Sequence, residues 1–356
     1  MKIGIAIGTM QGGGAQRVVS ILSKYFVEKG YLVNIITTSD AIVEYEIDNR
    51  IKIFSLVSKT DLIVVKQIVC FTKLYSHIKK EKYDVIFSFL PMTCIYVALC
   101  KVLGCNFKMI SSERMDPAQD PVSKILRIIR DWSYEKSDYN VFQTIDAKNY
   151  FNYKIQEKST IIFNPINEKI PFPTYDNREK KIVTAVRLEK QKNVEMLIDA
   201  FAIFNRKHPD YRLEIYGQGS LENAVRKKIF DYGLEKSVLL EGFKQNIYEC
   251  MKNASFFVLS SDYEGVSNSM LEALCLGLPV VSTDHPIGGA SMFITDSQNG
   301  FLSPVGDAVK LANNMHKVVC LSQEQYSEMC KNAAEVRSKL ETASVCYQWE
   351  KVMKKC

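Results

Sequence analysis

Short runs of aliphatic and β-branched residues alternate along the chain with stretches of three-to-four periodicity. This is the pattern of strands buried on both faces with amphipathic helices between them. In the first half the runs predict strands at 2–7, 33–37, 51–56, 85–89, 108–111, 139–142 and 161–163. The periodic stretches predict helices over 15–29, 62–80, 93–103 and 122–136. The alternation breaks at Asn164, Pro165 and Ile166, and the polar stretch 166–180, with Pro171 and Pro173, suits a linker. A second series follows, with strands at 182–186, 212–216, 238–240, 256–259 and 280–283, helices over 194–207, 221–232 and 269–276, and helices from Ala308 onward. The expected fold is α/β: two Rossmann-like, doubly wound parallel-sheet domains, 1–165 and 181–341, facing a cleft, with a closing helix over 342–356.

A length of 356 residues is enough for two hydrophobic cores, and 47% hydrophobic with 24% charged residues is ordinary globular composition. No apolar run reaches the roughly 18 to 20 residues of a membrane span. The N-terminus turns from a short apolar run straight into glycines, unlike a signal peptide, so a cytoplasmic location is expected. The ten cysteines include no CxxC pair, which favours reduced, buried thiols over a disulfide or zinc framework. The net charge of +6 arises within the first 170 residues, where Lys79, Lys80, Lys82, Lys124, Arg127 and Arg130 cluster. Such a stretch reads as solvated helix faces or as attraction to an anionic membrane or phosphorylated acceptor. Nucleic acid is a poor partner, because no aromatic-interleaved basic motif accompanies the charge.

The sharpest chemical signal runs from Ser260 to Thr283, where seven residues separate Glu264 from Glu272. Ser267 or Asn268 can cap the helix predicted there, and its first-turn N–H groups with the positive dipole end make a pyrophosphate seat. Glu272 lies about 7 Å further along the axis, where it can receive ribose hydroxyls. Glu264, at the loop mouth, would face a transferred sugar. Gly277 ends the helix and Pro279 prevents its continuation.

As a whole this stretch closely resembles the E-x7-E signature of the family 4 retaining glycosyltransferases of GT-B fold. The match includes Glu264 with Gly265, Glu272 with Ala273, and the small-residue tail 277–281. Upstream, a strand followed by Arg187, Lys192 and a helix from Asn193 resembles the family's diphosphate clamp. A forked guanidinium and a point ammonium at a strand end can neutralise two phosphates; the alternative for Arg187 is an ion pair with Glu189. Gly217 with Gly219, and Gly242 with Phe243, fall where the family brings backbone close to the nucleoside. Gly12, Gly13 and Gly14 resemble the family's N-terminal glycine loop, with Gln16 in place of an acidic residue and Gly14 best placed to approach phosphate or sugar. A dinucleotide fingerprint with Asp40 on the ribose fits less well, because the glycine spacing is wrong.

The resemblance implies donor contacts from Gly14, Arg187, Lys192, Gly217, Phe243, Glu264, Gly265, Val266, Ser267, Asn268 and Glu272. It gives Glu264, Arg187 and Lys192 the catalytic part. Glu113 and Arg114, beyond a first-half strand, are the acceptor candidates. The sugar-contacting His that many relatives place after the fourth strand is missing here, since Phe89, Leu90 and Pro91 occupy that loop. His285 follows the last predicted strand and could approach the donor or have no role. The implied activity is retaining transfer of a hexose or N-acetylhexosamine from a nucleotide-diphosphate sugar, with UDP favoured, to a glycan or lipid-linked acceptor in bacterial polysaccharide assembly. No cofactor and no metal are expected. A nucleotide-sugar epimerase of the same fold, or a non-catalytic sugar-nucleotide-binding subunit, are the competing readings. By the same resemblance the closing helix packs back on the first domain, with a hinge near Pro165.

Overall fold

The computed structural model describes residues 1–39, 42–56, 63–173, 175 and 178–355; Asp40 and Leu62, the predicted start of a helix, lie outside them. The chain divides into two compact units, residues 1–165 with 342–356, and residues 166–341.

The first unit carries seven strands: β1 (Lys2–Ile7), β2 (Leu32–Thr37), β3 (Lys52–Ser55), β4 (Val85–Phe89), β5 (Lys108–Ser112), β6 (Tyr139–Phe142) and β7 (Ser159–Ile161). They form one parallel sheet in the order β3-β2-β1-β4-β5-β6-β7. The order reverses between β1 and β4, the place where open α/β sheets receive ligands, and the loops leaving these strands are the glycine turn and the Leu90-Pro91 turn. β7 begins two residues before the apolar run that predicted it, because the run overshoots the edge and buries Ile162 in the core. Two short helices, Ile145–Asn149 and Tyr153–Gln156, are capped by the Thr144 and Asn152 side chains and are too short to show a period in sequence. The closing helix Thr342–Lys355 sets fully buried Trp349 against Phe87 and Phe89, at 5.8 and 5.6 Å between rings. Glu350 of the same helix accepts hydrogen bonds from Tyr25 and Tyr31 at 2.9 and 3.0 Å.

The second unit carries β8 (Lys181–Ala185), β9 (Arg212–Tyr216), β10 (Val238–Gly242), β11 (Phe256–Leu259), β12 (Val280–Thr283) and β13 (Gly300–Ser303), parallel in the order β10-β9-β8-β11-β12-β13. β13 escapes sequence reading because it opens on glycine in a polar stretch. Gly300 faces Val280 in the ladder so closely that a Cβ there would stand 2.0 Å from the Val280 carbonyl oxygen. The described part of the stretch that reads as a linker is packed on this unit. Ile166 and Ile170 are buried, and Arg337 donates to the carbonyls of Ile170 and Pro171, both at 2.9 Å. Arg178 covers the carbonyls of Leu276 and Gly277 that end helix Asn268–Cys275, at 3.3 and 3.2 Å. No helix among the described residues is long and apolar enough to cross a membrane.

Candidate functional site

In the second unit the loops after β8 and β11 are laced together. A 3-10 turn over Lys190–Lys192 ends at Asn193, whose left-handed backbone (φ 42°) lets its side chain cap helix Val194–Asn205. Asn193 Nδ2 also donates to Asp262 Oδ1 at 2.7 Å, and the Asp262 N–H donates to the Gln191 carbonyl at 2.9 Å. Gln191 Nε2 bonds the Tyr263 carbonyl at 2.7 Å and Glu264 Oε2 at 3.3 Å. Ser261 Oγ donates to Glu264 Oε1 at 2.9 Å, and the Lys192 ammonium closes on the same carboxylate oxygen as an ion pair. Glu264 is 6% exposed. Lys192 and Glu264, to which the sequence gives separate tasks, therefore share one part-buried contact, fixed by side chains about seventy positions apart in the chain.

Beyond Glu264 the chain enters helix Asn268–Cys275, capped by Ser267 Oγ, which accepts the Met270 N–H at 3.5 Å. Of the two capping candidates, Ser267 holds the position, and Asn268 is the first helical residue. Glu272 is buried within this helix and accepts from Tyr248 Oη at 3.1 Å. Gly265, Val266 and Ser267 are buried, while Asn268 is half-buried. Gly289 packs against the Gly265 carbonyl, where a Cβ would stand 1.8 Å from the oxygen, and this closeness draws the loop after β12 over Glu264.

That loop carries His285. The ring is 1% exposed, and its Nδ1 lies 3.3 Å from the Pro286 carbonyl. With the proton on Nδ1 for that bond, Nε2 is an acceptor; it is buried and has no hydrogen-bond partner among the described residues. Burial holds the imidazole pKa below its ordinary value, and the Glu264 carboxylate only partly offsets this. In the sequence His285 has no firm role, because a histidine two residues past a strand carries no motif of its own.

Arg187 leaves β8 with its guanidinium exposed and without a hydrogen bond or ion pair among the described residues. The expected competitor, Glu189, is engaged by Ser220 through the backbone N–H at 3.0 Å and Oγ at 2.7 Å. Gly217 adopts φ +130°, and a Cβ there would meet the Val186 carbonyl oxygen at 1.9 Å. Phe243, 73% exposed, follows Gly242 (φ +67°) at the end of β10.

The remaining candidates belong to the first unit. Helix Gly14–Glu28 begins at exposed Gly14; the preceding N–H groups are engaged, Gly12 by the Glu44 carboxylate at 2.7 Å and Gly13 by Tyr45 Oη at 3.0 Å. A carboxylate on that glycine turn marks it as receptive to anions. Glu113 and Arg114 form no mutual side-chain ion pair and are not at the surface. Glu113 is 2% exposed and takes the N–H groups of Arg114 and Met115 at 2.9 and 3.2 Å and Tyr134 Oη at 3.0 Å. Its carboxylate is spent on holding the turn. Arg114 donates through Nη1 to Asn164 Oδ1 at 2.8 Å and lies over Phe89 and Trp349. Its Nε and Nη2 are buried without a partner among the described residues, and burial lowers its pKa to about 9.

Two doubly wound parallel sheets in tandem, the second ending in a lysine–carboxylate contact beside a serine-capped helix, define a sugar-nucleotide transferase of GT-B architecture. Known proteins agree. The family description "Glycosyl transferases group 1" matches residues 166–337, and "Glycosyltransferase Family 4" matches residues 12–169. An N-acetylgalactosamine-N,N'-diacetylbacillosaminyl-diphospho-undecaprenol 4-alpha-N-acetylgalactosaminyltransferase of Campylobacter jejuni is 28% identical, over 95% of each chain. A poly(ribitol-phosphate) alpha-N-acetylglucosaminyltransferase of Staphylococcus aureus is 30% identical over 50% of this chain and 36% of its own. Among solved structures, Anabaena HepE in complex with UDP and glucose superposes with a TM-score of 0.86 at 16% identity, covering 100% of both chains. The chain belongs to the family 4 glycosyltransferases of GT-B fold, and it is a nucleotide-sugar glycosyltransferase.

Proposed function

We propose that the protein transfers a hexose or N-acetylhexosamine, with retention of configuration, from a UDP-sugar to a hydroxyl of a lipid-linked glycan in bacterial surface-polysaccharide assembly. The observation that carries this reading is the Lys192–Glu264 contact beside the Ser267 cap, with Glu272 buried one turn further along the same helix. Arg187, Lys192 and the first turn of the helix take the diphosphate, Glu272 the ribose, and Phe243 with the Gly217 backbone the nucleoside side. Glu264 and His285 Nε2 face the sugar, the latter as acceptor for a sugar hydroxyl.

The bond from the anomeric carbon to the diphosphate breaks as the acceptor oxygen adds on the same face. The acceptor proton passes to a leaving diphosphate oxygen. Charge developing there is met by fixed cations and backbone dipoles, which stabilise the transition state more than the ground state. With the exposed Arg187 guanidinium, the Glu264-paired Lys192 and the helix N-terminus supplying that stabilisation, transfer is expected to proceed without a divalent metal. The undecaprenol-linked acceptor named for the Campylobacter relative, together with similarity over nearly the whole length of both chains, favours a lipid-linked acceptor. Arg114, with two unused buried donors, is the first-unit group best suited to the acceptor.

An acceptor of that kind places the work at the cytoplasmic face of the membrane. The first unit has suitable surface: Val122, Ile125 and Ile128 are at least 70% exposed beside Lys124, on or next to helix Lys124–Lys136. Helix Ile63–Glu81 adds exposed Val65 and Ile68 and ends in Lys79 and Lys80. Apolar side chains flanked by lysines suit an anionic lipid surface. Ile125→Asp with Ile128→Asp should abolish co-sedimentation with phosphatidylglycerol vesicles; undiminished binding would refute the membrane assignment.

The function is tested with purified protein, a panel of UDP-sugars and lipid-linked acceptors. UDP should appear only when acceptor is present, at the same rate with or without added Mg2+ or Mn2+. Conversion of the donor without acceptor would point to an epimerase, and absence of turnover throughout to a binding subunit.

A further inference from the structure

Three side chains that the donor chemistry does not use converge elsewhere in the second unit. His208 follows the end of helix Val194–Asn205. His316 lies in the last turn of helix Ala308–Val319 and Cys320 is its C-cap, so the two are four residues apart and share a helix face. His208 Nε2 lies 2.7 Å from His316 Nδ1, and Cys320 Sγ lies 3.6 Å from the His316 ring nitrogens. One ligand atom from each residue falls within 4.8 Å of the others, and no other group of three or more His, Cys or carboxylate residues among the described ones does so.

Tetrahedral coordination at about 2.0 Å to nitrogen and 2.3 Å to sulfur separates ligand atoms by roughly 3.3 to 3.8 Å. The spacing of Cys320 Sγ from the His316 ring already fits, His208 lies within 4.8 Å of it, and the two imidazoles need to part by less than about 1 Å. The His208 ring is held for this by stacking on Phe204 at 4.7 Å and by the edge of Tyr211 at 6.1 Å. Cys320 is the only exposed cysteine among the described residues, so a fourth position opens to solvent.

We propose that His208, His316 and Cys320 bind a divalent ion of Zn2+ type, with solvent in the fourth position. Two imidazoles and a thiolate suit zinc and exclude Mg2+ and Ca2+, which take oxygen ligands. Binding releases the cysteine proton to solvent. The ion ties the far end of helix Val194–Asn205 to helix Ala308–Val319. That helix runs 12 residues from the Lys192 turn, about 18 Å at 1.5 Å per residue, so the ion braces the unit and takes no part in transfer.

The test is a titration of the reduced, metal-free, untagged full-length chain with ZnCl2 by calorimetry, and with CoCl2 by absorbance. One equivalent should bind, with a near-ultraviolet thiolate-to-cobalt band and a higher thermal midpoint. Cys320→Ser, at an exposed position where the fold tolerates it, should weaken binding by more than about tenfold and remove the band. His208→Gln should weaken binding likewise, while UDP affinity stays unchanged in both variants. Absence of saturable binding, or an undiminished cobalt band in Cys320→Ser, would overturn the proposal.

Discussion

At the residue scale, the site separates groups already committed from groups held ready. Lys192 is paired with the Glu264 carboxylate in a part-buried contact, whereas the Arg187 guanidinium is exposed and makes no hydrogen bond or ion pair among the described residues. If Arg187 takes the diphosphate as proposed, Arg187→Ala removes that contact without disturbing an internal one. A charge-assisted hydrogen bond contributes about 1.5 to 3 kcal/mol, so UDP affinity by calorimetry should fall by at least tenfold with the thermal midpoint unchanged. Unaltered affinity would remove Arg187 from the site. His285 offers a pH signature. Its pKa lies below the ordinary 6.5, so Nε2 accepts a hydrogen bond at neutral pH and loses that ability as pH falls through the depressed value. The donor KM should accordingly rise on acidification in the wild type, and His285→Ala should raise KM at neutral pH and flatten this acid limb. A variant retaining the wild-type acid limb would show that another group titrates.

At the element scale, the turn after β5 stores a pH dependence in the first unit. Arg130, fully buried, stands 3.9 Å from Glu113 but donates to the carbonyls of Pro117 and Asp120 and to Asp131. Burial of the Glu113 carboxyl outweighs the nearby Arg130 charge and the Arg114 and Met115 N–H groups, and pushes its pKa up to about 7, against 4.5 ordinarily. Stability from a raised carboxyl is fully present below the unfolded value and is lost as pH rises through the folded one. The loss is about 3 kcal/mol between the two. Glu113→Gln should make denaturation midpoints far less sensitive to pH between about 5 and 8; a wild-type slope in the variant would assign the titration elsewhere. What the sequence reveals differs by element. Strands such as β1, β4, β11 and β12 are legible to the residue because they are largely apolar runs enclosed on both faces. β13 and the stretch 166–180 are not, since a glycine fitted to a carbonyl and prolines packed on a helix end look like loop. The E-x7-E residues could be read from spacing and resemblance. The Lys192–Glu264 contact, the bridging by Gln191 and the burial of His285 depend on hydrogen bonds and packing between distant segments, which no local pattern records.

At the scale of the whole molecule, the two units divide the chemistry. The second gathers the cations, carboxylates and helix terminus suited to a sugar nucleotide, while the first offers Arg114 and an apolar, lysine-flanked surface. On this reading the donor is held by the second unit around the Lys192–Glu264 contact. Amide hydrogen exchange of the full-length chain, with and without saturating UDP, tests it most directly. Exchange should slow in peptides spanning 187–193 and 261–272. Protection confined to residues 1–165, with those two segments unchanged, would contradict it.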